Sequence, residues 1–416
     1  MGKTIIISRG ELMDAKDIGL SIARLRKKCG LTQVELAAKL NISDKAVSRW
    51  ESGNGFPEIT QFPALAAIFG VTVDYLMTGR HSGITIAGNI LADIVKGIDC
   101  YPQIGMLSNI GNIKMAVGGC APNTAIDIAK IDRSIPISVI GKIGDDEYGR
   151  FVLSQLSRNG IDCGKVVVSS KSPTSFSDVI SIPSGERTFF HARGANAEFC
   201  PDDVDIAGLN CSILHIGYIL LLDSFDQEDP KYGTVMARFL NEIQKRGIKT
   251  SVDVVSDSSA NYKTKILPAL KYCNYVFMNE LESSMLTDLP PYKEDGKLNI
   301  ESIHSTMKYI AEQGVKDKVI VHCKQAGFCL DVATGNFRVV PSLDIPQEEI
   351  KGSVGAGDAF CAGSLYAFYN NYDDTRMLEF ASGVAASSLF AENSTDGILS
   401  KAEVEKLIKK YRRKAI

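Results

Sequence analysis

The sequence has 416 residues, a length that leaves room for two or three domains. Hydrophobic residues make up 45% and charged residues 23%, which is ordinary for a globular protein. No apolar run reaches about 18 residues, and the apolar stretch near the N-terminus is too short for a signal peptide. These features exclude a membrane-spanning segment and predict a cytoplasmic protein. The ten cysteines form no C-x-x-C pair and no cluster with histidine at ligand spacing, which favours reduced thiols over disulfides or zinc.

The net charge of −3 conceals a difference between the two parts of the chain. Residues 1–80 carry 11 Lys and Arg against 8 Asp and Glu, whereas the remainder carries 35 against 41. A basic head on an acidic body is a weak indication of a nucleic-acid partner.

The head has the pattern of short amphipathic helices. Residues 17–29 repeat apolar side chains at helical spacing, with basic residues on the other side. Thr32 and Glu35 have the spacing of a capping box that opens a second helix. Further helices are predicted at residues 44–51, 59–69 and 72–77.

Three segments of this head, residues 30–37, 47–53 and 69–76, resemble the Cro/phage-repressor (Xre-type) helix-turn-helix family. The resemblance implies that the third helix enters the major groove of double-stranded DNA and that the protein binds it as a homodimer. Trp50 is expected in the core. For the basic residues, the alternative interpretation is a solvated helix face. The residues that the resemblance assigns to bases or phosphates are Gln33, Asp44, Lys45, Ser48 and Arg49.

After the head the pattern changes to strands that alternate with helices. This alternation predicts an α/β domain with a mostly parallel sheet and helices on both faces. Residues 84–91 are predicted as one strand. Two stretches, near 88–118 and 174–193, break the rhythm and are predicted to form a small β-sheet lid. The predicted domains are a helix-turn-helix domain at 1–80, a linker at 81–83 and the α/β domain at 84–416.

Residues 352–360 contain three glycines, then Asp358, and then a helix predicted to begin at Ala359. Glycines leave backbone N–H groups uncovered at a helix N-terminus, where the helix dipole also favours an anion. A carboxylate at the rim of an anion site indicates a hydroxyl partner, and a base beside bound phosphate suggests phosphoryl transfer to an alcohol. The alternative is a glycine turn with Asp358 as an N-cap.

Several motifs in order make the chain from residue 84 onward similar to the ribokinase/PfkB-type carbohydrate kinases. The resemblance implies an ATP-dependent kinase that phosphorylates a sugar hydroxyl, with ATP and Mg²⁺ as cofactors and a monovalent cation as a further candidate. The matching segments are residues 88–93, 118–125, 140–149, 185–190, 279–282 and 352–360.

The resemblance also assigns roles to individual residues. A sugar hydroxyl is a poor nucleophile at neutral pH, so the reaction needs a base and a group that neutralises the transferred phosphoryl. There is no Walker motif, so another element must hold the phosphates. The implied sets are Asp358 as base with Gly355, Ala356 and Gly357 as the anion hole; Asp93, Gly118, Gly119 and Asn123 for the sugar; and Asn279, Glu282 and Lys324 for the nucleotide, with Glu282 reaching the metal through water.

Some of these residues keep a second interpretation. Asn279 and Glu282 also fit a helix cap with an acid in the first turn. Asp253 is either a residue that orients the site or a strand-end cap. His191 and Arg193 follow the lid strand and are candidates for substrate contact or ordinary surface residues.

The chain departs from the family pattern at three points. Gly352 and Ser353 stand where the second signature commonly has Asp-Thr, which bears on the monovalent cation and the nucleotide. Residues 322–324, ending in Lys324, replace a T-x-G stretch on the nucleotide side. Residues 120–122 form the variable centre of the first signature and leave the sugar unnamed.

Three functions follow from the sequence. The first is a sugar kinase fused to a sequence-specific DNA-binding head, which would make it a sugar-responsive regulator. The second is a non-catalytic regulator whose kinase fold senses a sugar or a nucleotide. The third is a nucleoside kinase of the same superfamily. An intact Gly-Ala-Gly-Asp stretch favours turnover, because a sensor has no need of a base.

Overall fold

A computed structural model describes residues 5–6, 12–69, 71, 73–78, 82–183, 186–255 and 261–416. Parts of three predicted features lie outside the described residues: position 81 of the linker, positions 70 and 72 of the last helix-turn-helix segment, and position 185 of the hairpin segment. The chain divides into two compact units, Met1–Gly83 with Asp205–Ser212, and Ile84–Val204 with Ile213–Ile416.

The first unit is mainly helical, and side-chain caps set where its first three helices begin. Asp14 accepts from the backbone N–H groups of Lys16 and Asp17, so the first helix starts two residues earlier than predicted. Thr32 forms its capping box, and Trp50 is buried in the core, as predicted. The elements are β1 Ile5–Ile6, β2 Leu12–Met13, α1 Ala15–Lys28, α2 Gln33–Leu40, α3 Asp44–Glu51, α4 Gln61–Phe69 and α5 Val73–Thr78.

The second unit contains the sheets. Its strands are β3 Ile84–Gly88, β4 Leu91–Ile98, β5 Ile110–Gly118, β6 Ile137–Gly144, β7 Asp162–Ser169, β8 Ser175–Ser181, β9 Arg187–Ala192, β10 Ile213–Ile219, β11 Glu228–Asp229, β12 Gly233–Thr234, β13 Lys249–Val254, β14 Tyr275–Asn279, β15 Lys318–His322, β16 Ala326–Asp331 and β17 Phe337–Pro341.

α-Helices follow six of these strands, namely β5, β6, β12, β13, β14 and β17. The helices of this unit are α6 Cys120–Ile131, α7 Glu147–Arg158, α8 Val235–Lys245, α9 Tyr262–Leu270, α10 Glu280–Ser284, α11 Ile300–Glu312, α12 Ala356–Tyr369, α13 Asp374–Ser388 and α14 Lys401–Lys410. Among the described helices, none is long and apolar enough to cross a membrane.

The main sheet is mostly parallel, which confirms the predicted fold class. Within the described residues its strand order is β17-β16-β15-β14-β13-β10-β3-β6-β7, and only the β15–β16 and β16–β17 pairs are antiparallel. The carboxyl ends of the parallel strands meet at one edge, where ligands bind in open α/β sheets. Asn279 at the end of β14 and His322 at the end of β15 are register partners at this edge.

A second sheet, in the order β5-β4-β8-β9, is built from the segments predicted to form the lid. Residues 84–91 are not the single strand predicted. The chain leaves the main sheet after Gly88, whose φ of 128° few other residues adopt, and resumes as β4 in the second sheet.

The helix after the glycine stretch also begins earlier than predicted. Its N-cap is Gly355, in the left-handed region with φ 79°, and α12 starts at Ala356 rather than at Ala359. Asp358 therefore lies in the first helical turn and is not an N-cap.

Candidate active site

The N-terminus of α12 is formed by Gly355, Ala356 and Gly357. A side chain at Gly355 would lie 2.7 Å from the Cα atom of Ser394, so both the conformation and the packing require glycine. The first N–H groups of a helix have no partner within it, and they point outward at its positive end. The three residues assigned to an anion hole thus lie where an anion is favoured.

Asp358 is buried and is held by two donors from other elements. Asn123 Nδ2 donates to its Oδ2 at 2.9 Å, and the Tyr218 hydroxyl donates to its Oδ1 at 2.9 Å. The pKa of Asp358 is raised to about 6, mainly by burial and in addition by the nearby Asp253 carboxylate, while the hydrogen bonds from Asn123 and Tyr218 oppose the rise. The group is therefore ionised at neutral pH and more basic than an ordinary aspartate.

Asp93 lies in the same electrostatic environment. It is on β4, and a side chain at Gly118 would collide with its Oδ2, so glycine makes room for the carboxylate. Burial raises the pKa of Asp93 to about 6, and the negative charge of Asp358 adds to the rise, whereas Arg187 lowers it. Gly119, the N-cap of α6, packs as closely against the Asn89 carbonyl, with φ 89°.

Asn279 and Glu282 form a capping box at the start of α10. The Asn279 side chain accepts from the N–H groups of Leu281 and Glu282, and Glu282 Oε2 accepts from the Asn279 N–H at 2.8 Å. The helix cap that the sequence offered as an alternative is therefore present in the structure. The His322 ring, next to Asn279 in register, lies 3.3 Å from where a Cβ of Gly357 would be, so the cap lies near the start of α12.

The residues that replace the T-x-G stretch differ in their surroundings. His322 packs on Phe360 with ring centroids 5.1 Å apart, and burial lowers its pKa to about 4, so its ring is neutral. Lys324 is exposed in the connection between β15 and β16, and its carbonyl accepts from Lys414 Nζ at 3.2 Å. No described contact joins the Lys324 side chain to Asp358 or to the capping box.

The other candidates are engaged with protein groups. Asp253 is the residue before the last of β13, with Oδ2 3.5 Å from His215 Nε2. His191 Nδ1 is hydrogen-bonded to Ser177 Oγ at 3.1 Å, and Arg193 donates to Asp223 at 3.0 Å.

In the first unit, the side chains assigned to DNA are on or beside α3. Gln33 is only partly exposed, and its side-chain amide donates to Glu51 Oε2 at 2.8 Å. Glu51 also binds Arg26 through two bonds of 2.5 and 2.9 Å. The exposed members of the set are Asp44, Lys45, Ser48 and Arg49.

Two residues of the site were missed from the sequence. Tyr218 and His215 lie within an apolar run that reads only as a buried strand. For Tyr218 the available signal was its position near the carboxyl end of a parallel strand, whereas His215 lies within the strand and carried no such signal.

The comparisons with known proteins identify the class of the chain. Residues 91–401 match the pfkB family carbohydrate kinases, and residues 22–76 match a helix-turn-helix family. The chain belongs to the pfkB family of carbohydrate kinases, with an N-terminal helix-turn-helix domain. Members of this family are phosphotransferases, which confirms the predicted enzyme class.

Three similar proteins illustrate the match. Fructokinase-1 of Zea mays is 26% identical over 330 residues, which cover 75% of this chain and 95% of the relative. Arabidopsis thaliana ribokinase complexed with ribose and ATP has a TM-score of 0.65 at 20% identity, covering 79% of this chain and 99% of that one. An E. coli protein of this fold, solved in complex with ATP and Mg²⁺, has a TM-score of 0.63 at 18% identity, covering 79% and 99%.

Proposed function

We propose that this kinase transfers the γ-phosphoryl group of ATP to a sugar hydroxyl with Asp358 as general base, and that its first unit binds double-stranded DNA. The observation that carries the catalytic part is the buried Asp358 carboxylate, held by Asn123 and Tyr218 in the first turn of α12. A pKa of about 6 suits a base at neutral pH, because the group is ionised yet accepts a proton readily.

The proposed reaction consists of one proton transfer and one phosphoryl transfer. Asp358 accepts the hydroxyl proton as the sugar oxygen forms a bond to the γ-phosphorus. The bond from that phosphorus to the β,γ-bridging oxygen breaks, and ADP leaves with the electron pair. The N–H groups of Gly355, Ala356 and Gly357 stabilise the charge that develops on the phosphoryl oxygens. The proton returns to solvent when the products leave.

The sugar would lie between the second sheet and Asp358. Asn123 Oδ1 is buried and has no hydrogen-bond partner among the described residues, so it can accept from a sugar hydroxyl. The Asp93 carboxylate supplies further acceptors on the same side, and Gly118 and Gly119 let the sugar approach the backbone. The second sheet then acts as a lid that excludes water from the reaction.

The nucleotide side suits a metal carried by ATP. Mg²⁺ prefers oxygen ligands and keeps several of its waters, and the buried carboxylate of Glu282 beside Asn279 would contact it through one of those waters. When bound, Mg²⁺ neutralises charge on the phosphates. Lys324 is a candidate phosphate contact. If the rate of phosphorylation depends on potassium, a monovalent cation is a further cofactor.

An ADP-release assay on a panel of sugars and nucleosides tests the catalytic part. Fructose and ribose come first, because the similar proteins act on or bind them, and potassium is exchanged for choline in one arm. We expect turnover on a sugar, with a loss of about 10²–10⁴-fold in Asp358→Asn.

A second candidate, a regulator that only senses its ligand, is favoured by the helix-turn-helix match at residues 22–76. No turnover on any substrate, together with ligand-dependent DNA affinity, would establish it and overturn the kinase proposal.

The DNA part is tested with the full chain on a duplex selected from random sequences. The two exposed cations Lys45 and Arg49 are each replaced with alanine, and affinity is measured against salt. Each lost phosphate contact should reduce the salt slope by about one. Lys308→Ala, at an exposed position of α11 in the kinase unit, is the control. Unchanged affinity in both head variants would contradict DNA binding through α3. A footprint over two half-sites related by two-fold symmetry would support a homodimer.

A further inference from the structure

The backbone is strained two residues after Tyr218. Leu220 follows β10 and has a φ of 87°, in the left-handed region. This conformation is unfavourable for a bulky side chain, so it persists only where the surroundings impose it. The other described non-glycine residues with positive φ are Asn41, Asp288 and Asn371, whose short polar side chains tolerate it better. Contacts from outside the turn must therefore hold Leu220.

Arg193 supplies such contacts. Its Nη1 donates to the Leu220 carbonyl at 3.3 Å and to Asp223 Oδ1 at 3.0 Å, so one nitrogen joins two points of the same turn. A further bond links the two segments, since Ser224 Oγ donates to the Ala197 carbonyl at 2.8 Å. The bond to the Leu220 carbonyl fixes the orientation of the peptide that follows the strained residue.

Arg193 is itself anchored to the second sheet. It follows β9, and its carbonyl accepts from Ser175 Oγ at the start of β8. Three residues further on, the buried Asn196 side chain accepts from the Ile90 N–H and donates to the Ile90 carbonyl, both at 3.1 Å. Ile90 lies between β3 and β4, three residues before Asp93. The segment after β9 thus links the strand that carries Asp93 with the turn that follows β10.

The position of the Tyr218 side chain depends on this turn. Its carbonyl accepts from the Leu221 N–H at 3.1 Å within the turn, and its hydroxyl donates to Asp358 Oδ1 at 2.9 Å. A change of Leu220 to a negative φ would redirect the backbone beside Tyr218. A small rotation there is magnified at the hydroxyl, because the hydroxyl lies at the far end of a long and rigid side chain.

We propose that Arg193 is a positioning residue for phosphoryl transfer, which holds the strained turn at Leu220 and thereby keeps the Tyr218 hydroxyl on Asp358. This inference rests on the proposed role of Asp358 as the base. Because Arg193 follows a strand of the second sheet, a shift of that sheet relative to the main sheet would reach Tyr218 through the same contact.

The pKa of Asp358 in the substrate-free protein reports the position of Tyr218 without reference to turnover. Full-length protein labelled with ¹³C at the aspartate carboxyl is titrated by NMR, and the Asp358 resonance is identified by its loss in Asp358→Asn. Tyr218→Phe should raise this pKa by about 1–2 units, and Arg193→Ala should raise it by about 1 unit. Arg150→Ala, at an exposed position of α7 paired with Asp145, is the control and should leave it unchanged.

A double variant separates positioning from a direct effect of the Arg193 charge. The substitutions leave in place the other titratable groups that face Asp358, which are Asp93 on β4, Cys120 and Asp127 on α6, His215 on β10, Asp253 on β13 and Cys361 on α12. A direct charge effect of Arg193 would persist without the Tyr218 hydroxyl, whereas an effect through that hydroxyl would vanish. Arg193→Ala combined with Tyr218→Phe should therefore give the same pKa as Tyr218→Phe alone.

Three results would overturn the proposal. The first is a wild-type pKa of Asp358 in Arg193→Ala although Tyr218→Phe raises it, and the second is a double variant whose shift is the sum of the two single shifts. The third is an unchanged pKa in Tyr218→Phe, which would remove the link itself. Kinetics keep the proposed function separate, because equal rates in Asp358→Asn and the wild type would contradict the base whatever Arg193 does.

A milder variant keeps the test valid if Arg193→Ala does not fold. The Arg193–Asp223 ion pair is about half exposed, with side-chain exposures of 43% and 48%, so it contributes little to overall stability. Asp223→Asn weakens the hold on Arg193 and should raise the pKa of Asp358 in the same direction by a smaller amount. No rise in Asp223→Asn, with Arg193→Ala unfolded, would count against the proposal.

Discussion

Replacing Tyr218 with phenylalanine removes one of the two donors to Asp358 and keeps the shape of the ring. The hydroxyl binds Asp358 Oδ1 at 2.9 Å in a buried setting, and it stabilises the ionised form of the carboxylate. A hydrogen bond to a charged group contributes roughly 1.5–3 kcal/mol, and one pKa unit corresponds to about 1.4 kcal/mol. The substitution should therefore raise the pKa of Asp358 by about 1–2 units, from a starting value of about 6.

The pH dependence of kcat/KM measures this shift. Activity requires ionised Asp358, so the acid limb of the profile should move upward by about 1–2 pH units, and activity should recover at high pH. Tyr309→Phe, at a half-buried position of α11, is the matched control and should leave the limb unchanged. Because the pKa of Asp93 is also raised to about 6, the profile is repeated in Asp93→Asn, where a remaining limb belongs to Asp358.

Two results would refute the reasoning about Tyr218. One is an acid limb that stays in place while activity falls equally at every pH. The other is a limb that moves toward lower pH, since losing a donor to the ionised form cannot favour ionisation.

Three further predictions concern stability and the anion site. Folding raises the pKa of Asp358 from 3.8 to about 6, so its contribution to stability is greatest below pH 4 and is lost as the pH rises through 6. Asp358→Asn should therefore raise the free energy of unfolding by about 3 kcal/mol at pH 8 and hardly at all at pH 4. An equal gain at both pH values would contradict this. Glu51→Ala leaves the Arg26 guanidinium buried without its partner and should destabilise the first unit by about 3–5 kcal/mol in thermal unfolding, whereas the exposed control Glu58→Ala should have little effect. Gly355→Ala forces a left-handed alanine against Ser394 and should lower kcat by about 10²-fold through the displaced N–H groups, and an unchanged kcat would argue against the anion hole.

The sequence was most informative where local rules decide the structure. The capping box of Thr32 and Glu35 and the apolar periodicity of the first helices located the helix-turn-helix unit, because capping and periodicity depend on neighbouring residues. The alternation of strands and helices predicted the parallel sheet for the same reason. The start of α12 was placed three residues late, since the left-handed Gly355 that caps it depends on packing against Ser394.

The candidate site was predictable only in part, because it depends on contacts between distant strands. Asp358 and Asn123 are separated by 235 residues and meet across α6 and α12, and the motifs that carry them were visible in the sequence. Tyr218 and His215 carry no motif of their own. They reach the site because β10 lies beside β3 and β13, and that order of strands follows from the whole sheet.

Direct detection of the phosphorylated sugar tests the central claim. The full chain is incubated with ATP, Mg²⁺ and the best sugar of the panel, and sugar monophosphate and ADP are quantified by mass spectrometry in the wild type and in Asp358→Asn. We expect the wild type to form the two products in equal amounts and Asp358→Asn to form both about 10²–10⁴-fold more slowly. ADP without sugar phosphate, or equal rates in the two proteins, would contradict the assignment of Asp358 as the base of a sugar kinase.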